Sequence, residues 1–441
     1  MVTWLGAILL FALATADTME AQGDSMAVRP LAEPEAVSAS GVVRSVAALR
    51  AISADTILIH DRAEQRVVLL DEQLKVVKVV ADRTVGTAYG PYGVGILAWH
   101  GDSTMLLDGA SSSMRVVDGA GELGRVMAAP RREDFGQLFG RLGNPGFDSR
   151  GRLVYRGPDI SYLEQVRRGK LGPASGLDSV PLVRFNLASR QIDTATFVRV
   201  HFTRIVPHEE RWVEGDRHYA RSYIRHVMHP APTVDDWAVL ADGRITVVRG
   251  QDYHVDFIDG DGNVVSGPKI PFPWRRLSAG DKVALIDSSK ALRARLIADG
   301  VPLGNVAPTP YTETHGTPTV GVTTGGGGSA GGAPSPSNVT PPAEMYVDPD
   351  ELPDYQPVFA AGAVRADADG HVWVRTIPPA PLAGGAIYDV IDGAGHLVDR
   401  VQVPRGSAIA GFAPGGVVFL AQRESQAITL KRVRHQLPTQ Q

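Results

Sequence analysis

One pattern comes round repeatedly in this chain and limits its possible folds more than any single residue does. Ala363 to Arg375 reads AVRADADGHVWVR, Ala238 to Arg249 reads AVLADGRITVVR, and Gly146 to Arg156 reads GFDSRGRLVYR. Each is a short apolar strand, an Asp/Gly turn, then an alternating β-branched strand, which is the signature of a hairpin. A second hairpin follows each one: HVDFIDGDGNVV (His254 to Val265), YDVIDGAGHLV (Tyr388 to Val398) and LVRFNLASRQI (Leu182 to Ile192). Weaker copies run from Ala51 to Val80, Ile96 to Val126 and Gly411 to Arg434.

The spacing between first and second turns makes chance a poor explanation. Asp55 to Asp71, Asp102 to Asp118 and Gly415 to Lys431 are each 16 residues apart, and Asp242 to Asp259 is 17. Asp369 to Asp392 is 23 and Asp148 to Asn186 is 38, the latter carrying an insertion. Six units of four short strands predict an all-β, six-bladed β-propeller of four-stranded antiparallel blades over residues 41–436. With 158–179, 199–231 and 273–356 set aside, the units average about 43 residues, within the ~40–50 usual for propeller blades. The last unit supplies three strands, near 407–413, 416–421 and 426–434. Its fourth is expected from Gly41 to Ala47 (GVVRSVA), so that an N-terminal strand closes the last blade.

The DG-turn strands, the VID-GAG hairpins and DWAVLADGRITVVR (Asp236 to Arg249) together resemble the secreted bacterial six-bladed propellers of the NHL/TolB-like group. The resemblance covers residues 41–436 outside the insertions. It implies a fold and a binding role, and it transfers no catalytic residue.

Composition removes whole classes of chemistry. The 441 residues contain no Cys, which excludes disulfide scaffolds, thiolate zinc sites, iron–sulfur clusters and cysteine nucleophiles. A net charge of −4 argues against nucleic acid as a partner. At the N-terminus, Trp4 to Leu13 is apolar but too short to cross a ~30 Å bilayer core. Ala14-Thr15-Ala16 and Met19-Glu20-Ala21 offer small-x-small cleavage sites, although no Lys or Arg precedes Arg29. We therefore expect a signal peptide over 1–21, cleaved after Ala16 or Ala21, and export to the periplasm or beyond. A flexible leader is expected over 22–40, a tail over 437–441, and a mature monomer without a membrane span.

Two insertions interrupt the repeat. In 273–356, Ser278 to Gly300 reads as a helix, capped by Ser278 with Asp281 and closed by Gly300. Val283, Leu285, Ile286, Leu292 and Leu296 supply its apolar face. Thr317 to Pro342 is a Gly/Pro-rich linker with no hydrophobic periodicity. The insertion is either a lid or a decoration on the side of a blade. Residues 199–231 concentrate five histidines (His201, His208, His218, His226, His229) among six arginines and four acids. Three readings apply there: a metal pair at His226 and His229 on a helical face, an anion surface of guanidinium groups, and a solvated loop of compensating charges. The last fits best, because no nearby carboxylate completes a ligand spacing.

Several motif matches lack the context that would make them work. G-x-S-x-G at 327–331 and G-x-G-x-x-G at 326–331 fall inside the glycine linker, where neither the strained serine turn nor a strand-to-helix junction exists. Asp259 to Asn263 resembles a calcium loop, but Val264 and Ile270 stand where glycine and glutamate belong. Asp71, Asp118, Asp259 and Asp392 recur at the turn of each unit's second hairpin, where Asp side chains accept backbone N–H bonds and initiate turns.

Two functions remain. The first is an exported binding or scaffold module taking a peptide, polymer or small molecule at the central channel mouth. Its candidate residues near the innermost strands are Arg50, Trp99, Trp237 and Arg365, with Arg221 and His226 on the loop leading into the Trp237 strand. For both tryptophans, packing between blades is the competing role. The second is a propeller hydrolase of the metal-dependent lactonase or esterase type. It would need several oxygen ligands converging on the channel, whereas the first strands are mainly apolar. No catalytic residue, metal or cofactor is assigned.

Overall fold

The computed structural model describes residues 26–84, 89–90, 94–109, 111–131, 134–139, 143–157, 179–201, 204–215, 217–298, 345–379, 384–424 and 427–438. The expected signal peptide, the Gly/Pro linker with its two glycine-rich motif matches, Gly300 and the end of the tail lie outside these residues. Alternating apolar segments punctuated by Asp/Gly turns form six antiparallel meanders, each built outward from its first strand. Blade one comprises Ala48–Ala51, Ile57–Asp61, Arg66–Leu70 and Val76–Ala81. Blade two comprises Val94–Ala98, Thr104–Asp108, Ser113–Val117 and Leu123–Ala128. Blade three uses Gly146–Phe147, Leu153–Arg156, Ser179–Phe185 and Ile192–Arg199. Blade four uses Asp236–Val239, Ile245–Arg249, His254–Ile258 and Val264–Ser266. Blade five is Val364–Ala366, Val372–Thr376, Ile387–Ile391 and Leu397–Gln402. Blade six is Ser407–Ala413, Val417–Glu424 and Ala427–Arg434, completed on its outside by Pro34–Val37.

An N-terminal strand does close the last blade, but it is not Gly41 to Ala47. Pro34–Val37 pairs antiparallel with the last strand, Pro34 opposite Val433, and Val43 adds only an isolated bridge to Ile428. Part of the expected flexible leader is therefore structural. Upstream, Arg29–Pro30 adds a short parallel fifth strand to blade five. Downstream, Asp61 anchors the 44–45 segment by accepting from the Arg44 and Ser45 amides. One strap thus joins blades five, six and one. Lys431 lies mid-strand, so the 16-residue spacing in the last unit does not mark a turn.

The core is a series of apolar layers between neighbouring blades. One lies between four and five around Tyr253, Phe359, Val364 and Val374, and another between six and one around Ile59, Leu70, Phe419 and Leu430. Because each blade is a meander, its first and third turns emerge on one face of the ring. The second turns and the inter-blade connections emerge on the other.

Both insertions are inter-blade connections, three to four and four to five, so they share that second face. The first is a long hairpin, Arg204–Glu214 with Arg217–Met228, where a solvated loop was expected. The reason is visible in its alternation of β-formers with charges, which a dense charge count conceals. The second insertion contributes helix α1, Ala279–Ala298, capped as expected. The Asp281 amide donates to Ser278 Oγ at 3.2 Å, and the Ser278 amide donates to Asp281 Oδ2 at 3.0 Å. Leu285, Ile286 and Leu296 are buried and Leu292 is half-buried, but Val283 faces solvent.

The two insertions fold together. Met345–Tyr346 pairs in parallel with Val227 and Met228 at the hairpin's root. Val227, Ala231, Leu285, Ile286, Val347 and Leu352 share a small core, and Arg204 grips Glu351 with both terminal nitrogens, at 2.9 and 3.1 Å. Among the described residues, no helix is long and apolar enough to cross a membrane.

Candidate functional site

The turn face shows what the recurring aspartates do. Asp259 Oδ1 accepts from the amides of Asp261 and Asn263 at 2.8 and 2.9 Å. Asp118 does the same for Ala120 and Glu122, and Asp392 for Ala394 and His396. Asp71 takes the Lys75 amide. Basic side chains of the preceding blade then hook three of these turns. Arg152 and Arg184 donate to the Gly260 and Asp259 carbonyls, Arg244 to Gly393 at 2.9 Å, and Lys78 to Ala120 at 3.0 Å. These carboxylates are turn-formers, as their sequence context implies.

The six residues singled out from the sequence do not converge. Arg50 donates to the Ser103 and Gly101 carbonyls and to Thr104 Oγ1. Burial lowers its pKa to about 10 against the pull of Asp102; it is a clamp between blades one and two. Trp99 is half-buried under the Arg125 guanidinium, 5.1 Å from the ring centroid. Trp237 is 2% exposed and packs with Val154, Leu182 and Val247 between blades three and four, so it is core rather than channel lining. Gly143 is required beside it, because a Cβ there would overlap the indole nitrogen.

Arg221 and His226 sit on the hairpin, opposite Glu210 and Ile205, away from the innermost strands. They lie on a strand, so His226 and His229 share no helical face. Arg365 alone remains on an innermost strand, half-buried and without an ion-pair partner among the described residues. Close by, Asn144 reaches from the entry to blade three, donating from its amide to Trp237 O and from Nδ2 to Val364 O. That crossing narrows access to the innermost strands.

The buried charges are likewise committed. Burial pushes Asp236 up to about 6, despite hydrogen bonds from the amides of Val364 and Trp237. Asp389 binds Arg400 Nε at 2.7 Å and accepts from Tyr253 Oη at 2.9 Å. Burial opposes ionisation of Asp399, but bonds from His435 and Arg29 prevail and hold it at about 2. Among the described residues, no group of three or more His, Asp or Glu is placed to hold a metal ion.

What the sequence did not single out is a cleft of about 470 Å3 on the insertion face at blade four. The second turn of blade four contributes Gly250 and Gln251, and the connection before that blade contributes Thr233. The connection after it contributes Trp274, Pro353, Asp354, Tyr355, Gln356 and Pro357. Trp274 and Tyr355 are 40% and 50% exposed, unusual for large aromatic rings in a folded core protein. Their centroids lie 6.4 Å apart with the rings at 87°. The pair is braced from beneath, since Trp274 meets Phe272 edge-to-face and Phe272 meets the buried Tyr253. Gln356 is itself buried and fixes the loop by donating to the Pro378 carbonyl at 3.0 Å. A sequence signal existed in PFPW (271–274) and LPDYQP (352–357), two aromatic–proline runs flanking the insertion.

No protein-family model matches this chain, and no curated protein is significantly similar to it. Solved structures to which it is similar include a gluconolactonase from Xanthomonas campestris, 11% identical over 93% of this chain and 99% of that one, with a TM-score of 0.35. A member of the DUF4221 family from Bacteroides vulgatus is 10% identical over 92% and 97%, with a TM-score of 0.42. Virginiamycin B lyase from Staphylococcus aureus is 9% identical over 86% and 92%, with a TM-score of 0.32. None carries an activity across. The six-bladed assignment rests on the strand order itself.

Proposed function

We propose that this chain is an exported, monomeric binding or scaffold propeller that takes a peptide, polymer or small ligand on its insertion face. The observation that carries this reading is the exposed, braced Trp274–Tyr355 pair lining the cleft at blade four. Concave sites with aromatic walls and few polar groups are where ligands are usually held. The site therefore moves from the channel mouth to the edge of blade four, with Arg365 retained as a channel candidate. Export rests on the apolar N-terminal run and its small-residue cleavage patterns. The lactonase or esterase reading needs converging oxygen ligands, and the engaged carboxylates described above give it no support. A thermal-shift screen of peptides, polysaccharides and small molecules tests the proposal on the parent chain and on Trp274→Ala. Hits that vanish in the variant support the cleft, whereas hits that persist unchanged would move the site elsewhere.

A further inference from the structure

We infer that the cleft takes a proline-rich segment in the polyproline II conformation, neutral or basic in charge; this rests on the cleft being the ligand site. Two rings in edge-to-face contact at 87° and 6.4 Å make an L-shaped corner rather than one flat stacking floor. A polyproline II helix repeats every three residues and presents proline rings as knobs, one of which can seat in such a corner at little ordering cost. The remaining walls are mainly apolar, with Pro353 and Pro357 beside the aromatics.

The polar groups fit the same occupant. A polyproline II backbone leaves its carbonyls unbonded and in need of donors. Gln251 Oε1 accepts from Arg199 at 3.0 Å, which turns the amide N–H donors of Gln251 towards other partners, and Thr233 adds a hydroxyl. Among the described residues, no Lys or Arg lines the cleft. Its one carboxylate, Asp354, pairs with Lys282 at 2.9 Å through Oδ1 yet has 74% of its side chain exposed. An acidic ligand would meet no cation among the described lining residues, while a basic flanking residue would be drawn to the exposed Asp354 carboxylate. A neutral glycan would stack on one ring but would find few hydrogen-bond partners for its hydroxyls.

The test titrates the full chain with a decaproline peptide ending in lysine, the same peptide ending in glutamate, and a neutral gluco-oligosaccharide. Tryptophan fluorescence and calorimetry supply the readouts. We expect the lysine peptide to bind best, and Trp274→Ala or Tyr355→Ala to weaken it at least about tenfold with the melting temperature unchanged. Peptide binding that ignores both substitutions overturns the inference. Trp274-dependent binding of the oligosaccharide without the peptides also overturns it, while leaving the cleft as the ligand site. If no probe binds, the peptide reading falls. The cleft itself falls only if hits from the broader screen also ignore Trp274.

Discussion

The two faces of this ring use similar residues to opposite ends. On the turn face, Asp, Gly and Arg repeat from blade to blade, and side chains such as Asp259, Asp392, Arg152 and Arg244 are engaged by neighbouring amides or carbonyls. On the insertion face the connections differ from one another, and side chains such as Trp274 and Tyr355 are left outward. Repetition ties up its own chemistry. A propeller's capacity to recognise something must therefore be sought where the repeat is broken.

Substitutions should separate the faces, and the largest effect lies beneath the cleft. Asp389→Ala leaves the buried Arg400 without its carboxylate and should cost about 4 kcal/mol, read by denaturant unfolding; a loss below about 1 kcal/mol would mean the junction of blades four and five relaxes freely. Gly243→Ala on the turn face comes next. Its φ is +84°, and a Cβ would sit 2.7 Å from the Asp148 carbonyl carbon, so about 3 kcal/mol should be lost with ligand binding unchanged. Asp259→Ala removes one turn's side-chain acceptor and should lower the melting temperature less than Gly243→Ala does. If it also abolished a thermal-shift hit, the division of labour between faces would be wrong.

Acidity offers a finer test, with opposite signs at two carboxyls. Asp399 is held at about 2, below its ordinary ~3.9. The stability it contributes is therefore complete above pH ~4 and lost as pH falls towards 2. Asp236 is raised to about 6, so its contribution is complete below pH ~4 and lost as pH rises through 6. Melting temperatures of Asp236→Asn and the parent should consequently converge, or cross, between pH 4 and 7, while those of Asp399→Asn and the parent converge below pH 4. Parallel curves for Asp236→Asn would show that its amide bonds, not burial, govern that carboxyl.

Architecture was legible because turns are local chemistry. An Asp two residues before an amide declares itself in any sequence, and paired turns of this kind, repeated along the chain and in three units 16 or 17 residues apart, point to a ring. The strap was placed about eight residues late, because several short N-terminal stretches could lie along the open edge of blade six. Only the register with Val433 and the Arg29–Asp399 pairing decide between them. The candidate site was far less legible. Arg50 and Trp237 stood out by residue type but serve packing. Trp274 and Tyr355 lie about eighty residues apart, and nothing local announces that two separate insertions fold into one cap.

The strap also sets an order of events. Glu35 meets Arg434 across 399 residues of chain, so the first segment to emerge must wait, unpaired, for the last. During synthesis, every blade can take shape before the ring shuts, and none of them can shut it. A single late contact thus divides an open, pliable chain from a finished vessel. Removing residues 1–40, or the chain from Ala427 onward, should leave a set of blades that never becomes a circle.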